Sequence, residues 1–364
     1  MIEIRERDQS EFEEAMELAL KVFMEFDSSD YSDEGVAEYR KCTHDHDYLD
    51  KLRIFTAYDG DREVGVIATR NNGSHIAQFY VDGACHRQGI GRMLFEHVWE
   101  MCDKGYMTVN ASTYAVPVYR ALGFRETGGP QVTDGLKYTP MERIDLYYEE
   151  KGEGKPLILL HGNNEDSTYF KNQRDHFADK FRVITLDTRG HGRSPRGAAP
   201  FTIRQFADDL ACFMDRHAIE KANILGFSDG GNIGLIFAMK YPERIGRLIA
   251  DGANLFPAGV KAWAQGPVTI GYYWTKTFGP WSRAEMFSLM VRDPDIDPSD
   301  LAQITAPTLI MAGTGDLIKE SHTRLIASSI PEAELAIIRG SHFIARENPA
   351  EFNRRVDEFL GEGW

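Results

Sequence analysis

Residues 2–5 alternate apolar and polar side chains as a short strand does, and residues 10–25 place Phe12, Ala15, Leu18, Ala19 and Val22 at helical spacing. A polar stretch at 27–33 breaks that helix, and residues 34–40 restart one. Residues 52–58 and 64–69 read as two strands of a hairpin about Asp59-Gly60-Asp61, and 75–81 as a third strand after Asn71-Asn72-Gly73. A glycine-bearing loop leads from there into a helix. A strand at 108–111, a helix at 115–122 and a last pair of strands beyond Gly123-Phe124 complete this part.

From residue 144 the rhythm changes. Residues 144–148 alternate, and across the turn at 151–156 they predict an antiparallel hairpin with 157–160. Leu157-Ile158-Leu159-Leu160 is uninterruptedly apolar, as a strand covered on both faces should be. Further strands are predicted at 181–186, 222–225, 246–250, 307–313 and 333–338. Helices alternate with them at 168–177, 202–216 with Thr202 as N-cap, 232–239 and 350–360. Such alternation requires an α/β fold, with a mostly parallel sheet and helices on both of its faces. Residues 254–305 interrupt the pattern with Phe256, Trp263, Tyr272, Tyr273, Trp274, Phe278, Trp281 and Phe287. They suit a short helical cap over an apolar acyl or aromatic substrate, although a cap needs the same side chains for its own packing.

Length and charge sharpen the division. At 364 residues the chain exceeds a single core, so two domains are expected, 1–143 and 144–364. Residues 1–150 carry 29 acidic and 16 basic side chains, and residues 151–364 carry 27 and 25, so nearly all of the net charge of −15 lies in the first part. No basic patch is available for nucleic acid, and no apolar run is long enough to span a membrane; small-molecule substrates are the expected partners. Four cysteines without C-x-x-C spacing and a start lacking signal-peptide character suggest a reducing, cytoplasmic setting. No metal ligands are assigned, and the oligomeric state stays open.

The loop after 75–81 reads Val81-Asp82-Gly83-Ala84-Cys85-His86-Arg87-Gln88-Gly89-Ile90-Gly91-Arg92. It exposes successive backbone N–H groups at a helix N-terminus, which suits a phosphate or diphosphate, and a plain tight turn would have the same composition. With Tyr119-Arg120-Ala121-Leu122-Gly123-Phe124 downstream, residues 1–143 resemble the GCN5-related N-acetyltransferase (GNAT) family. The resemblance implies a mixed-sheet domain that binds acetyl-CoA, with His86, Arg87, Gln88, Gly89, Ile90, Gly91 and Arg92 around the diphosphate. It further implies Val81 and Asn110 along the pantetheine arm and Tyr119 as general acid toward the departing thiolate. The sequence departs from the family pattern at His86, where Gln or Arg is usual, and at Gly83, where proline is usual. No general base or amine pocket is assigned. A silent CoA-binding or interaction module is the alternative.

The second part centres on Gly226-Phe227-Ser228-Asp229-Gly230-Gly231, between an apolar run and a helical pattern. This G-x-S-x-G turn puts Ser228 at the apex of a strand-turn-helix, beside a helix N-terminus that favours developing negative charge. Asp316 and His342 each follow a predicted strand. The order Ser228, Asp316, His342 is that of nucleophile, acid and base in the α/β-hydrolase superfamily, which residues 144–364 resemble over their whole length, esterase-like and lipase-like members most closely. The backbone N–H groups of Asn163, after His161-Gly162, and of Asp229 are expected to form an oxyanion hole. His161 is expected to brace its loop, and Asp187, Arg189, His191 and Arg193 to be structural. The resemblance implies a cofactor-free serine hydrolase for esters or related acyl compounds. Amide, thioester or C–C cleavage and cofactor-free peroxidase chemistry stay open.

Overall fold

The computed structural model describes residues 1–361, which form two compact units, Met1–Asp145 with Gly197–Ala199, and Leu146–Arg196 with the remainder from Pro200 onward. In the first unit the strands Ile2–Glu6, Arg53–Asp59, Arg62–Arg70 and His75–Val81 pair antiparallel in succession. Alternation along these strands sends neighbouring side chains to opposite faces. Ile54 and Val66 accordingly pack with Phe12, Met16 and Ala19 of the helix Phe12–Phe26. Phe55 and Ile67 pack on the other face with Ile90, Leu94 and Phe95 of the helix Ile90–Glu100.

His75–Val81 meets Tyr106–Ala111 in parallel, but only His75↔Thr108 and Ile76↔Val109 are in register. Beyond Ile76 the two strands diverge, leaving the backbone from residue 77 onward unpaired on that side. The sheet closes with Leu136–Ile144, antiparallel to Tyr106–Ala111 and reaching the pair Tyr106↔Ile144. Ile144, read from the sequence as the start of a second-domain strand, therefore belongs to the first sheet.

The second unit holds a seven-stranded sheet whose strands run parallel from Lys155–Leu160 and Phe181–Leu186 on one side to Glu334–Ile338 on the other. The predicted hairpin is not formed. Tyr148–Lys151 pairs antiparallel with Phe181–Leu186 instead, as the sheet's edge. Lys155–Leu160 already has both edges filled, by Phe181–Leu186 and by Ala222–Phe227, and so cannot accept its chain neighbour. The 254–305 region is more regular than its composition suggested. It contains the helices Ala262–Phe278 and Trp281–Val291, separated by Gly279-Pro280, which supplies the break between them. Tyr272 is buried, yet Trp263, Tyr273, Trp274, Phe278 and Trp281 are all well exposed, and Trp281 with Tyr272 borders a cavity of about 410 Å³.

Candidate active sites

Ser228 sits between the strand Ala222–Phe227 and the helix Asp229–Lys240 with φ 54° and ψ −117°. A non-glycine residue pays on the order of 1–3 kcal/mol for such a conformation. The surroundings hold it: its N–H donates to the Asp251 carbonyl at 2.7 Å, and its own carbonyl accepts from Asn232 N–H at 3.0 Å. Gly226 and Gly230 permit the sharp turn, since a Cβ on Gly226 would run into the Gly230 carbonyl and one on Gly230 into the Leu160 carbonyl. The serine is half-buried.

The other two residues converge on it from separate strand ends. His342 Nε2 lies 3.2 Å from Ser228 Oγ, and His342 Nδ1 lies 2.7 Å from Asp316 Oδ1. Asp316 follows the strand Thr308–Gly313 and is fixed by the N–H groups of Ile318, at 2.8 Å, and Gly313, at 3.3 Å. Both His342 and Asp316 are buried. With the carboxylate at Nδ1, that nitrogen carries the proton and Nε2 faces the serine as an acceptor. Gly252, at φ +62°, leaves room for the imidazole, which a Cβ at that position would strike.

Asp229 begins the buried helix, where the first-turn N–H groups have no intrahelical acceptor. Its carboxylate accepts from Asn163 Nδ2 at 3.0 Å and from Asn232 Nδ2 at 3.4 Å. Burial pushes that carboxyl up to about 6, with the Asn163 bond opposing the rise. Asn163 Nδ2 also donates to the Met286 carbonyl at 3.0 Å, on the second cap helix. The Asn163 side chain is thus tied between Asp229 and the cap, not free in a substrate pocket. His161 is buried; Nε2 accepts from the Thr188 N–H at 3.0 Å and Nδ1 contacts the Gly162 carbonyl at 2.7 Å. Burial lowers its basicity, which suits a neutral brace for the loop. Arg189 makes a buried two-point pair with Asp209, and Asp187 accepts from the N–H groups of Ser167 and Arg193. Asp251 was not singled out in the sequence. Both its carboxyl oxygens are buried without a partner, and burial together with nearby Asp316 holds its acid group well above the usual carboxylate range.

The first unit carries two cavities. One, of about 370 Å³, is lined by Val81, His86, Arg87, Gly89, Ile90 and Gly91 of the glycine loop and by Tyr114, Val118 and Tyr119 opposite. Gly89 stands at φ +83° as N-cap of the helix Ile90–Glu100, with no side-chain cap and open space around it. An acidic cofactor group at this point would meet N–H groups of a helix start, and the diverging strands would offer backbone for an extended arm, so the residues fit acetyl-CoA. The His86 ring bonds the Val81 carbonyl at 2.8 Å and the His86 N–H donates to the Gly83 carbonyl at 3.3 Å, so that carbonyl and that N–H are both taken. Gln88 and Arg92 turn to the Ala84 and Ala121 carbonyls and are exposed. Asn110 is exposed and lines a second cavity, of about 430 Å³, rather than the first. Tyr119 is buried and lines both, and burial, with a smaller effect of the Asp27 charge, raises its phenol far above the usual value. Asp27, which read in the sequence only as the start of a polar break, also lines both cavities.

Comparison with known proteins bears on both parts of the chain. Residues 27–144 match the model of the acetyltransferase (GNAT) domain, and residues 155–281 match that of the alpha/beta hydrolase fold. RutD of Azorhizobium caulinodans, a protein named for carbamate hydrolysis, is 28% identical over 253 residues, covering 60% of this chain and 96% of the relative. The 3-oxoadipate enol-lactonase 2 of Acinetobacter baylyi is 26% identical over 250 residues, covering 60% of this chain and 93% of its own length. Among solved structures, the enol-lactonase from Burkholderia xenovorans LB400 aligns with a TM-score of 0.51 at 22% identity, over 64% of this chain and 99% of that one. At that identity the likeness speaks for the fold.

Proposed function

We propose that this chain, a GNAT acetyltransferase domain joined to an alpha/beta hydrolase domain, hydrolyses carboxylic esters or related acyl compounds at Ser228 and acetylates an amine in its first domain. The observation that carries the hydrolase half is the pair of distances at His342, 3.2 Å to Ser228 Oγ and 2.7 Å to Asp316 Oδ1.

A serine hydroxyl is a weak nucleophile at neutral pH. In this reading His342 Nε2 takes its proton as Oγ bonds the acyl carbon, and Asp316 steadies the imidazolium at Nδ1. Negative charge forming on the carbonyl oxygen meets the backbone N–H groups of Asp229 and Asn163, with the helix N-terminus behind the former. His342 then hands its proton to the leaving group and draws one from water, which attacks the acyl-serine and frees the acid. Relatives named for lactone and carbamate hydrolysis support an acyl substrate of this general kind.

For the first domain, the loop 86–92 would hold the diphosphate of acetyl-CoA, and the unpaired backbone near Val81 the pantetheine arm. The cofactor supplies an activated acetyl thioester. Tyr119, which lines both cavities, would give a proton to the leaving sulfur.

Ser228→Ala tests the hydrolase assignment. Hydrolysis of p-nitrophenyl acetate should fall at least a thousandfold while acetyl-CoA binding by calorimetry is unchanged. Undiminished hydrolysis would remove Ser228 from the mechanism.

A further inference from the structure

We propose that the acetyl acceptor of the first domain is an elongated molecule bearing a primary ammonium at one end and an anionic group at the other, the ammonium seated on Asp27 and the anion on Arg70. The inference rests on the acetyltransferase reading above and adds the chemistry of the acceptor.

Two cavities meet in this unit, and Asp27 stands where they join, together with Tyr80 and Tyr119. Asp27 is 5% exposed, and its Oδ1 is buried with no hydrogen-bond partner. Among the described residues, the only charged neighbour that bears on it is another carboxylate, Asp30. A buried carboxylate without a cation is unfavourable for folding, and nothing in the protein relieves it beyond the nearby Ser112 hydroxyl. An ammonium from outside would relieve it. The walls suit the same guest. Phe23 and Tyr39 stack at 3.8 Å, Tyr80 meets Tyr39 edge-on at 6.2 Å, and Tyr31 lies 5.4 Å from Phe23. Aromatic faces around a carboxylate attract a desolvated cation.

The far end of the acceptor cavity has the opposite character. Arg70 lines it but does not line the glycine-loop cavity. Its Nε is buried without a partner, while Nη2 contacts His75 Nε2 at 3.2 Å. Burial and the Arg70 charge lower His75 to about 4, so at neutral pH it accepts from the guanidinium without adding a charge. Arg70 is paired across the sheet with His75, and Tyr80 lies five residue steps, roughly 16 Å, along the strand from His75. The two charges of the acceptor are therefore several carbons apart, with the amine at the end that opens toward the thioester.

Asp27 takes one proton from the bound ammonium, which frees the nitrogen lone pair to bond the thioester carbonyl carbon. With bound acetyl-CoA supplying the activated acetyl carbon, Tyr119 would pass the second nitrogen proton to the departing sulfur, which keeps the electron pair of the broken C–S bond. The products are the N-acetyl compound and the free thiol, with one proton passed from Asp27 to solvent.

Calorimetry of the full chain with 6-aminohexanoate as the probe tests this directly, with hexylamine and hexanoate as one-ended controls. The zwitterion should bind at least tenfold more tightly than either control. Asp27→Asn should weaken 6-aminohexanoate and hexylamine at least tenfold without affecting hexanoate, and Arg70→Met should weaken 6-aminohexanoate and hexanoate without affecting hexylamine. Retained acetyl-CoA binding checks that each variant is folded. Equal affinity for 6-aminohexanoate and hexylamine, or an Asp27→Asn variant that binds like the parent, would overturn the proposal. If acetyl-CoA binds while the zwitterion is not preferred, the acceptor proposal fails and the acetyltransferase reading stands. If acetyl-CoA does not bind, the acetyltransferase reading fails, and the acceptor proposal built on it falls too.

Discussion

Asp229 shows how one residue serves two ends with two groups. Its N–H belongs to the helix start beside Ser228, and its carboxylate lies in a buried network with Asn163 and Asn232. Burial raises that carboxyl to about 6 from an ordinary value of 3.8. Between those values the unfolded chain has lost the proton and the folded one keeps it, so rising pH favours unfolding there. The cost accumulates from about pH 4 to about pH 6 and stays constant above. Asp229→Asn removes this component. The stability of the variant relative to the parent, followed by urea denaturation, should rise by about 2–3 kcal/mol between pH 4 and pH 6 and then level off. A relative stability independent of pH would mean that the carboxyl is not held in its neutral form.

At the scale of elements, the first sheet is defined by where it comes apart. His75–Val81 and Tyr106–Ala111 share two registered pairs and then separate. An unpaired inner strand edge is unfavourable unless something occupies it. If the pantetheine arm lies there, acetyl-CoA should slow amide hydrogen exchange in residues 77–81 and at the start of the helix Ile90–Glu100, with little change in Arg53–Asp59. Protection confined to other strands would place the cofactor elsewhere. In the second sheet, position rather than sequence neighbourhood chose the partner of Tyr148–Lys151. The cap helices obey a local rule, ending at Gly279-Pro280. Their aromatic residues are exposed for the most part, where composition left pocket lining and packing within the cap equally open.

Among the described residues, hydrophobic cores lie on each face of the first sheet, and another in the second unit is built on Leu157, Phe227, Met311 and Phe352. Units with their own cores unfold as separate cooperative steps more often than as one. Scanning calorimetry should therefore show two transitions, of which acetyl-CoA raises only one; a shift of both by the same amount would contradict independent units. The sequence by itself determined the alternation of strands and helices, the glycine loop at Gly89-Ile90-Gly91, and the order Ser228, Asp316, His342, because these depend on short-range patterns and on what each strand end carries. It took the folded chain to put Tyr148–Lys151 on a sheet edge, to bind Asn163 to Asp229 and the Met286 carbonyl, and to set Asp27 between two cavities with its Oδ1 unpartnered. Each of those depends on groups far apart in the chain competing for the same neighbour. No local pattern records which of them wins.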